Sequence, residues 1–319
     1  MIKYLYPLIS ALIIVLILMP YFIKLFNKIG FMDRPTKRKK HDKPTPLCGG
    51  VVMYIAFIVV YVYIFGLHNR EKVYVVIAAT LVTAIGLIDD YYKTRGKEFR
   101  IYPRVIVQVL AAIIVYMSGI VFEGITNPFD GTYLILPKAL QFILTITWIF
   151  GVTTVINWSD GMDGVAGGIT VISSSTLCVV ALAKAQTESA MMSVILVGII
   201  LGFLRYNHHP AKVFMGDSGA NFLGFMLAII ALDGAFKQAT VVSIFIPILA
   251  LGVPIFDNLF VIGKRFVEGK PVYAADRSQI HYRLQEKGMN TKQVVTFICV
   301  ISCVLSMISL LILYYNLHK

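Results

Sequence analysis

Apolar residues run along this chain in long unbroken stretches separated by short polar connections. About 20 apolar residues in succession cross a bilayer as a helix. Tyr4–Ile23 is one such stretch. A single Lys precedes it, no small-residue cleavage site follows, and it is too long for a signal peptide's apolar region, so it reads as a retained span. Nine more follow, at Val51–Leu67, Val73–Ile88, Val105–Val121, Ala139–Ile156, Gly164–Ala183, Ala190–Leu204, Gly219–Leu232, Thr240–Ile262 and Val294–Tyr315. Several are short, Gly219–Leu232 most of all. Spanning strands would alternate apolar and polar positions over about ten residues, whereas these runs are continuous. The pattern predicts an all-α integral membrane protein with about ten transmembrane helices. Residues 1–319 form one polytopic domain, with no repeat period or low-complexity tract.

Charge gives the frame a direction. Ten spans put both termini on one side. The connections after odd-numbered spans hold 22 of the 29 Lys and Arg, and the termini and even connections hold the other 7. By the positive-inside rule the odd connections are cytoplasmic and both termini face outward. Of the 17 acids, 12 share the cytoplasmic face, while Glu71, Glu123, Asp130, Glu188 and Asp233 lie outside. Acids contribute little to topology, so their concentration on one face calls for a chemical explanation.

Composition narrows the class. The chain is 58% hydrophobic and 14% charged, too little polar surface for a soluble fold of 319 residues. Disorder is excluded too, and a nucleic-acid partner is not expected despite a net charge of +12, because that charge is mostly one basic face around carboxylates. Cys48, Cys178, Cys299 and Cys303 fall in or beside apolar runs and read as small buried residues. No CxxC or Cys/His spacing suggests zinc.

Five segments carry candidate chemistry. Asp89 and Asp90 directly follow the run Val73–Ile88. Adjacent carboxylates at the end of a span repel, and a cation or a raised pKa relieves them. The following Lys93, Arg95 and Lys97 favour the alternative of a solvated helix end. Asn157-Trp158-Ser159-Asp160-Gly161-Met162-Asp163-Gly164 lies between two spans, and its two acids would face one way in a helical turn. One Asp-Gly step explains a turn, and a second lets backbone approach a ligand. Phe214-Met215-Gly216-Asp217-Ser218-Gly219 opens the eighth span, with Asp217 either functional or an N-cap. His208 and His209 precede it and read as structural, because sequence neighbours rarely point the same way.

The basic run Lys37-Arg38-Lys39-Lys40-His41-Asp42-Lys43 is a topology signal and an anionic-lipid contact. Its Lys43, nearest the next span, is a candidate for a phosphate. The last loop, Asp276-Arg277-Ser278-Gln279-Ile280-His281-Tyr282-Arg283, offers a His and two Arg to a diphosphate or a uracil ring. Asp257 lies inside the ninth span, about 8 Å from its end, and an acid at that depth is a functional candidate or a partner for Lys264 or Arg265. Together Asp89, Asp90, Asp160, Asp163 and Asp217 fall on one face with bases around them. That set suits Mg²⁺, which takes few carboxylates and completes its shell with substrate phosphates. A site at the membrane surface suits a lipid substrate.

In these segments the chain resembles the polyprenyl-phosphate N-acetylhexosamine-1-phosphate transferases, the family that includes the phospho-MurNAc-pentapeptide translocase. The resemblance runs nearly end to end. It is carried by His41-Asp42-Lys43 with Pro46 and Gly49-Gly50, Gly86 to Asp90, Asn157 to Gly164, Tyr206-Asn207, Pro210-Ala211, Phe214 to Gly219, Pro254 to Asp257, and the loop around His281. It looks most like the enzymes that initiate teichoic acid and enterobacterial antigen. The resemblance implies transfer of GlcNAc-1-phosphate from UDP-GlcNAc to undecaprenyl phosphate with release of UMP. It implies a multi-pass enzyme of the bacterial cytoplasmic membrane, using Mg²⁺ or Mn²⁺, and a homodimer.

The resemblance also implies roles. Asp217 is the principal Mg²⁺ ligand, assisted by Asp90. Asp89 takes the proton from, or orients, the attacking lipid phosphate. Asp160 and Asp163 line the nucleotide and diphosphate pocket, with Asn157 holding the loop. Lys43, Asn207 and Phe214 contact the nucleotide side, and His281 and Arg283 the diphosphate or sugar. The last loop reads Gln279-Ile280-His281-Tyr282 where the glycosyl-phosphate branch shows His-Ile-His-His. The alternatives are use of UDP-MurNAc-pentapeptide, a catalytically inert scaffold, and a secondary transporter, although transporters place ionisable groups near the midplane between repeats.

Overall fold

The computed structural model describes residues 2–35, 43–127, 132–234, 244–271 and 277–318. Lys37 to Asp42, Asp130, Lys237, Asp276 and the first residues of the ninth predicted span lie outside them. Nine of the ten apolar stretches are each one helix. These are α1 (Ile2–Ile29), α2 (Gly49–Phe65), α3 (Arg70–Thr94), α4 (Ile101–Ser118), α5 (Lys138–Ser159), α6 (Val165–Ala183), α7 (Thr187–Asn207), α8 (Gly216–Gly234) and, last in the chain, α12 (Thr291–Leu317). Among the described residues seven helices are long and apolar enough to cross a membrane: α1, α3, α4, α5, α6, α7 and α12. The protein is an all-α, multi-pass membrane protein.

The ninth stretch departs from the expectation of one continuous helix. It breaks at Leu251 into α9 (Phe245–Ala250) and α10 (Gly252–Val267). Pro254 explains the break, because it has no N–H to donate to the carbonyl four residues back. That carbonyl, on buried Ala250, accepts instead from the Ser173 hydroxyl of α6 at 2.6 Å. A second departure is α3, which continues six residues past Ile88 to Thr94. The polar residues there are packed against other helices, so hydropathy alone ends the helix too early. Four short strands were not predicted. Strand β1 (Met32–Asp33) pairs antiparallel with β2 (Thr45–Pro46), and β3 (Gly124–Thr126) with β4 (Tyr133–Ile135). The short helix α11 (Ile280–Glu286) lies in the last loop.

Helix α8 is the hub. It packs against α2, α3, α5, α6 and α7, and all of its residues except Asp217 are buried. A helix that is apolar all round belongs at a centre, which is how so short a stretch is accommodated. Several helix threonines satisfy their hydroxyls locally, as water is absent from a bilayer core. Thr83, Thr153 and Thr170 each donate to the carbonyl four residues back, at 2.8, 2.7 and 2.7 Å.

Candidate active site

The start of α8 rests on the end of α3. A Cβ at Gly86 would lie 2.6 Å from the Ser218 Cα, so glycine is what permits the approach. One turn further along α3, Asp90 meets the first turn of α8, whose N–H groups have no partner within the helix. Asp90 Oδ1 accepts the Asp217 N–H at 2.7 Å. Its Oδ2 accepts the Ser218 N–H at 3.0 Å and the Ser218 hydroxyl at 2.8 Å. A carboxylate also suits the positive end of the helix dipole. Gly216 enters this turn at φ +67°, and a Cβ on it would lie 2.8 Å from the Asp90 Cγ. Asp217 is therefore the second residue of α8 and not its N-cap. The capping carboxylate is Asp90, borrowed from α3.

The turn built this way presents Asp217 to a cluster of charges. Lys93 Nζ lies 2.7 Å from Asp217 Oδ2 and 3.1 Å from Asp89 Oδ2. Arg104 Nη1 lies 3.1 Å from Asp89 Oδ2 and 3.4 Å from Asp217 Oδ2. Two carboxylate oxygens thus share two cations. The Asp89 side chain is 2% exposed, while those of Asp217, Arg104 and Lys93 are 17, 26 and 36% exposed. The cluster is closed behind and open toward its cations. Of the basic run, Lys93 belongs to the cluster and not to a solvated helix end, whereas Arg95 and Lys97 are exposed. Arg104 was not singled out. Its signal was a lone cation heading an otherwise apolar stretch. Lys93 stands four residues after Asp89, the spacing of one helical face.

The second segment is a loop, so the one-sided placement that a helical turn would give its two acids does not arise. Asp160 closes α5 with φ −81° and ψ 55°, and helix resumes at Val165. Burial, followed by the charges of Asp217 and Asp90, pushes the Asp160 carboxyl up to about 8. Asp163 points elsewhere: its Oδ2 accepts the Ala211 N–H at 3.1 Å and lies 2.9 Å from His209 Nδ1. His208 turns away, with Nδ1 3.3 Å from the Leu204 carbonyl. Asn207 braces this loop. Its Oδ1 accepts the Gly164 N–H at 2.9 Å and its Nδ2 donates to the Val213 carbonyl at 2.8 Å. The buried Asn157 Nδ2 has no partner among the described residues.

The last loop closes over Gly161. A Cβ there would overlap His281 Nε2 and lie 2.7 Å from its Cε1. His281 is 1% exposed, its Nε2 has no partner among the described residues, and burial with the Arg277 charge pulls it down to about 4. The imidazole is neutral at physiological pH. Arg283 Nη2 donates to Asp257 Oδ1 at 2.7 Å. The Asp257 partner is therefore Arg283. Lys264 instead pairs with Glu268 at 3.9 Å, and the Arg265 guanidinium lies 5.1 Å from the centre of the Trp158 ring. At the other edge, Phe214 is held by backbone. Its N–H donates to the Pro46 carbonyl and its carbonyl accepts from Gly49, both at 3.0 Å. Lys43 is exposed, three residues before Pro46.

The fold thus brings Asp89, Asp90 and Asp217 together with Lys93 and Arg104, sets Asp160 within their field, and stacks His281 on the 160–164 loop. Asn207 and Arg283 are tied to protein partners. No group of three or more His, Cys, Asp or Glu forms a metal cage among the described residues. Both Asp90 oxygens are engaged by α8, so within the group of Asp89, Asp90 and Asp217 the carboxylates left to hold a cation are those of Asp89 and Asp217. Two carboxylates fit Mg²⁺, which draws its remaining ligands from water and phosphate.

The model of the family described as Glycosyl transferase family 4 matches residues 72–235, a stretch that takes in α3 from Lys72 onward, α8 and the whole charge cluster. The chain is 36% identical over 307 residues to a probable undecaprenyl-phosphate N-acetylglucosaminyl 1-phosphate transferase of Bacillus subtilis, covering 96% of this chain and 84% of that protein. It is 28% identical over 302 residues to a decaprenyl-phosphate N-acetylglucosaminephosphotransferase of Mycobacterium leprae, covering 86% and 75%. It is also 28% identical over 306 residues to a phospho-N-acetylmuramoyl-pentapeptide-transferase of Lacticaseibacillus paracasei, covering 90% and 91%. With the match extending over more than half of its length and a relative at 36% identity along nearly all of it, the chain belongs to glycosyl transferase family 4.

Proposed function

We propose that the protein transfers GlcNAc-1-phosphate from UDP-GlcNAc to undecaprenyl phosphate. A phosphate oxygen of the lipid attacks the β-phosphorus of the sugar nucleotide. The bond from that phosphorus to the bridging oxygen breaks, UMP leaves with the electron pair, and a lipid diphosphate sugar remains. The observation that carries this reading is the pairing of Asp89 and Asp217 across two shared cations at the crossing of α3 and α8.

The central difficulty of the reaction is bringing two anions to one phosphorus. Lys93 and Arg104 face that problem directly, and positioning with charge neutralisation is the main lever for phosphoryl transfer. Mg²⁺, or Mn²⁺ in its place, held by Asp217 and Asp89, would supply neutralisation of the developing phosphate charge. Asp89 orients the attacking lipid phosphate, and Asp90 holds Asp217 through the first turn of α8. Asp160 and Asp163 shape the nucleotide side together with Asn157, Phe214 and Lys43. Asn207 braces their loop, and neutral His281 faces the sugar diphosphate.

The same reading takes all ten apolar stretches as spans of a single domain over residues 1–319. The termini are outside and the site is at the cytoplasmic face of a bacterial inner membrane. The working unit is a homodimer. A second reading, with UDP-MurNAc-pentapeptide as donor, draws on the 28% identity to a pentapeptide transferase. The 36% identity to a GlcNAc-phosphate transferase favours the first. Purified protein given undecaprenyl phosphate and a panel of UDP-sugars separates them. UMP release with UDP-GlcNAc and a divalent cation supports the proposal, and release with UDP-MurNAc-pentapeptide alone replaces it.

A further inference from the structure

Asp257 sits within α10, buried, where it touches neither the charge cluster nor the 160–164 loop through any described hydrogen bond. Its described hydrogen bonds all lie within the last loop. Both of its oxygens accept the Ile280 N–H, at 3.0 and 2.9 Å, and Oδ1 also accepts Arg283 Nη2 at 2.7 Å. The Arg283 guanidinium in turn lies over the Phe260 ring, 4.2 Å from its centre and three residues along α10 from Asp257. Ile280 is the first residue of α11, where an N–H has no partner within the helix. Gln279 stands at the N-cap position and makes no capping bond from its side chain. The missing acceptor comes from α10.

The next residue is His281. Its ring is packed against Gly161, with Nε2 buried and without a partner among the described residues. Where that ring sits depends on where α11 starts, and Asp257 defines that start from two directions, through the backbone at Ile280 and the side chain at Arg283. We infer that Asp257 is a positioning residue: a clamp from α10 that sets α11 and so places His281 against the 160–164 loop. In this role Arg283 is the clamp's second jaw and not a substrate contact. The link from clamp to turnover rests on the transferase reading, whereas the clamp itself does not.

Hydrogen exchange on the full-length protein in detergent tests the clamp without substrate. In Asp257→Ala the amides of Ile280–Glu286 should exchange about tenfold faster, the effect of losing one hydrogen bond to a charged acceptor. The first turn of α8 should stay as protected as before. Asp257→Asn keeps one acceptor oxygen and should restore most of the protection. If Asp257→Ala does not fold, Arg283→Ala decides the matter: it should speed exchange of the same amides to a smaller degree, and unchanged exchange there overturns the clamp. In turnover assays the alanine variant should raise the KM for UDP-GlcNAc more than it lowers kcat, and Arg283→Ala should do the same to a smaller degree. Unchanged exchange over Ile280–Glu286 in both Asp257 variants overturns the clamp. An unchanged KM with loosened α11 overturns the link to His281. Wild-type protein that releases no UMP, together with a loosened α11 in the variant, removes the transferase reading and leaves the clamp standing.

Discussion

Helices α3 and α8 each carry charge at both ends, and the two ends are built differently. At one end Lys72 of α3 is 7% exposed and pairs with Glu71 at 3.0 Å and with Glu188 of α7, while Asp233 of α8 bonds Ser189. The Glu71 and Glu188 side chains are 39 and 51% exposed, so water shares the burden of their charge. At the other end Asp89 and Asp90 are almost fully buried, Asp217 lies beside them, and two cations are shared between Asp89 and Asp217. The first arrangement fastens three helices. The second concentrates like charges where water cannot relieve them, and such convergence marks a site better than burial of charge alone.

The two ends should respond differently to mutation. The largest effect is expected at the cluster. Asp217→Asn and Asp89→Asn should each lower UMP release by about 10³-fold, the scale of losing a principal electrostatic group, with an unchanged elution profile in size-exclusion chromatography. Lys93→Met and Arg104→Met should lower it by about 10²-fold each, because each leaves one cation in place. Lys72→Met should leave turnover within about twofold and lower stability by about 1–2 kcal/mol, between an exposed pair and a buried one. If Lys72→Met stopped turnover as Asp217→Asn does, the contrast between the ends would be wrong.

A smaller effect separates the ends by pH. The Asp160 carboxyl is held up to about 8 by burial and by Asp217 and Asp90, against an unfolded value near 3.8. Between those two values the folded chain keeps a proton that the unfolded chain has lost. Stability from this group is therefore full below about pH 4, falls as pH rises, and is gone above about pH 8. Asp160→Asn should flatten that decline in thermal unfolding scans between pH 5 and 9. Lys72→Met should leave its slope in place. An unaltered slope in Asp160→Asn would show that burial and its neighbours do not hold the Asp160 carboxyl up.

Much of this organisation is legible in the residues. Continuous apolar runs read as helices because a bilayer segment must satisfy its own backbone, and nine of the runs are single helices. The break at Leu251 was legible too, in Gly252 and Pro254, but a hydropathy run averages over both. The extent of α3 was not legible, because Asp89, Asp90 and Lys93 look like a solvated end until α4 and α8 cover them. Asp217 was found from its glycine-flanked motif, yet its cap, Asp90, stands 127 residues away. Arg104 was missed for the same reason: linear spacing relates residues along one helix, and this site is made where three helices meet. Asp257 stood out by its depth alone, and only the fold supplies its partners, Ile280 and Arg283.

The most direct test of the central claim is UMP release by the purified full-length protein given undecaprenyl phosphate and UDP-GlcNAc, with Mg²⁺ or with excess chelator, beside Asp217→Asn. Release is expected with the metal, none with chelator, and about 10³-fold less from the variant. Equal release by Asp217→Asn, or no release by the wild type with any UDP-sugar, would contradict it.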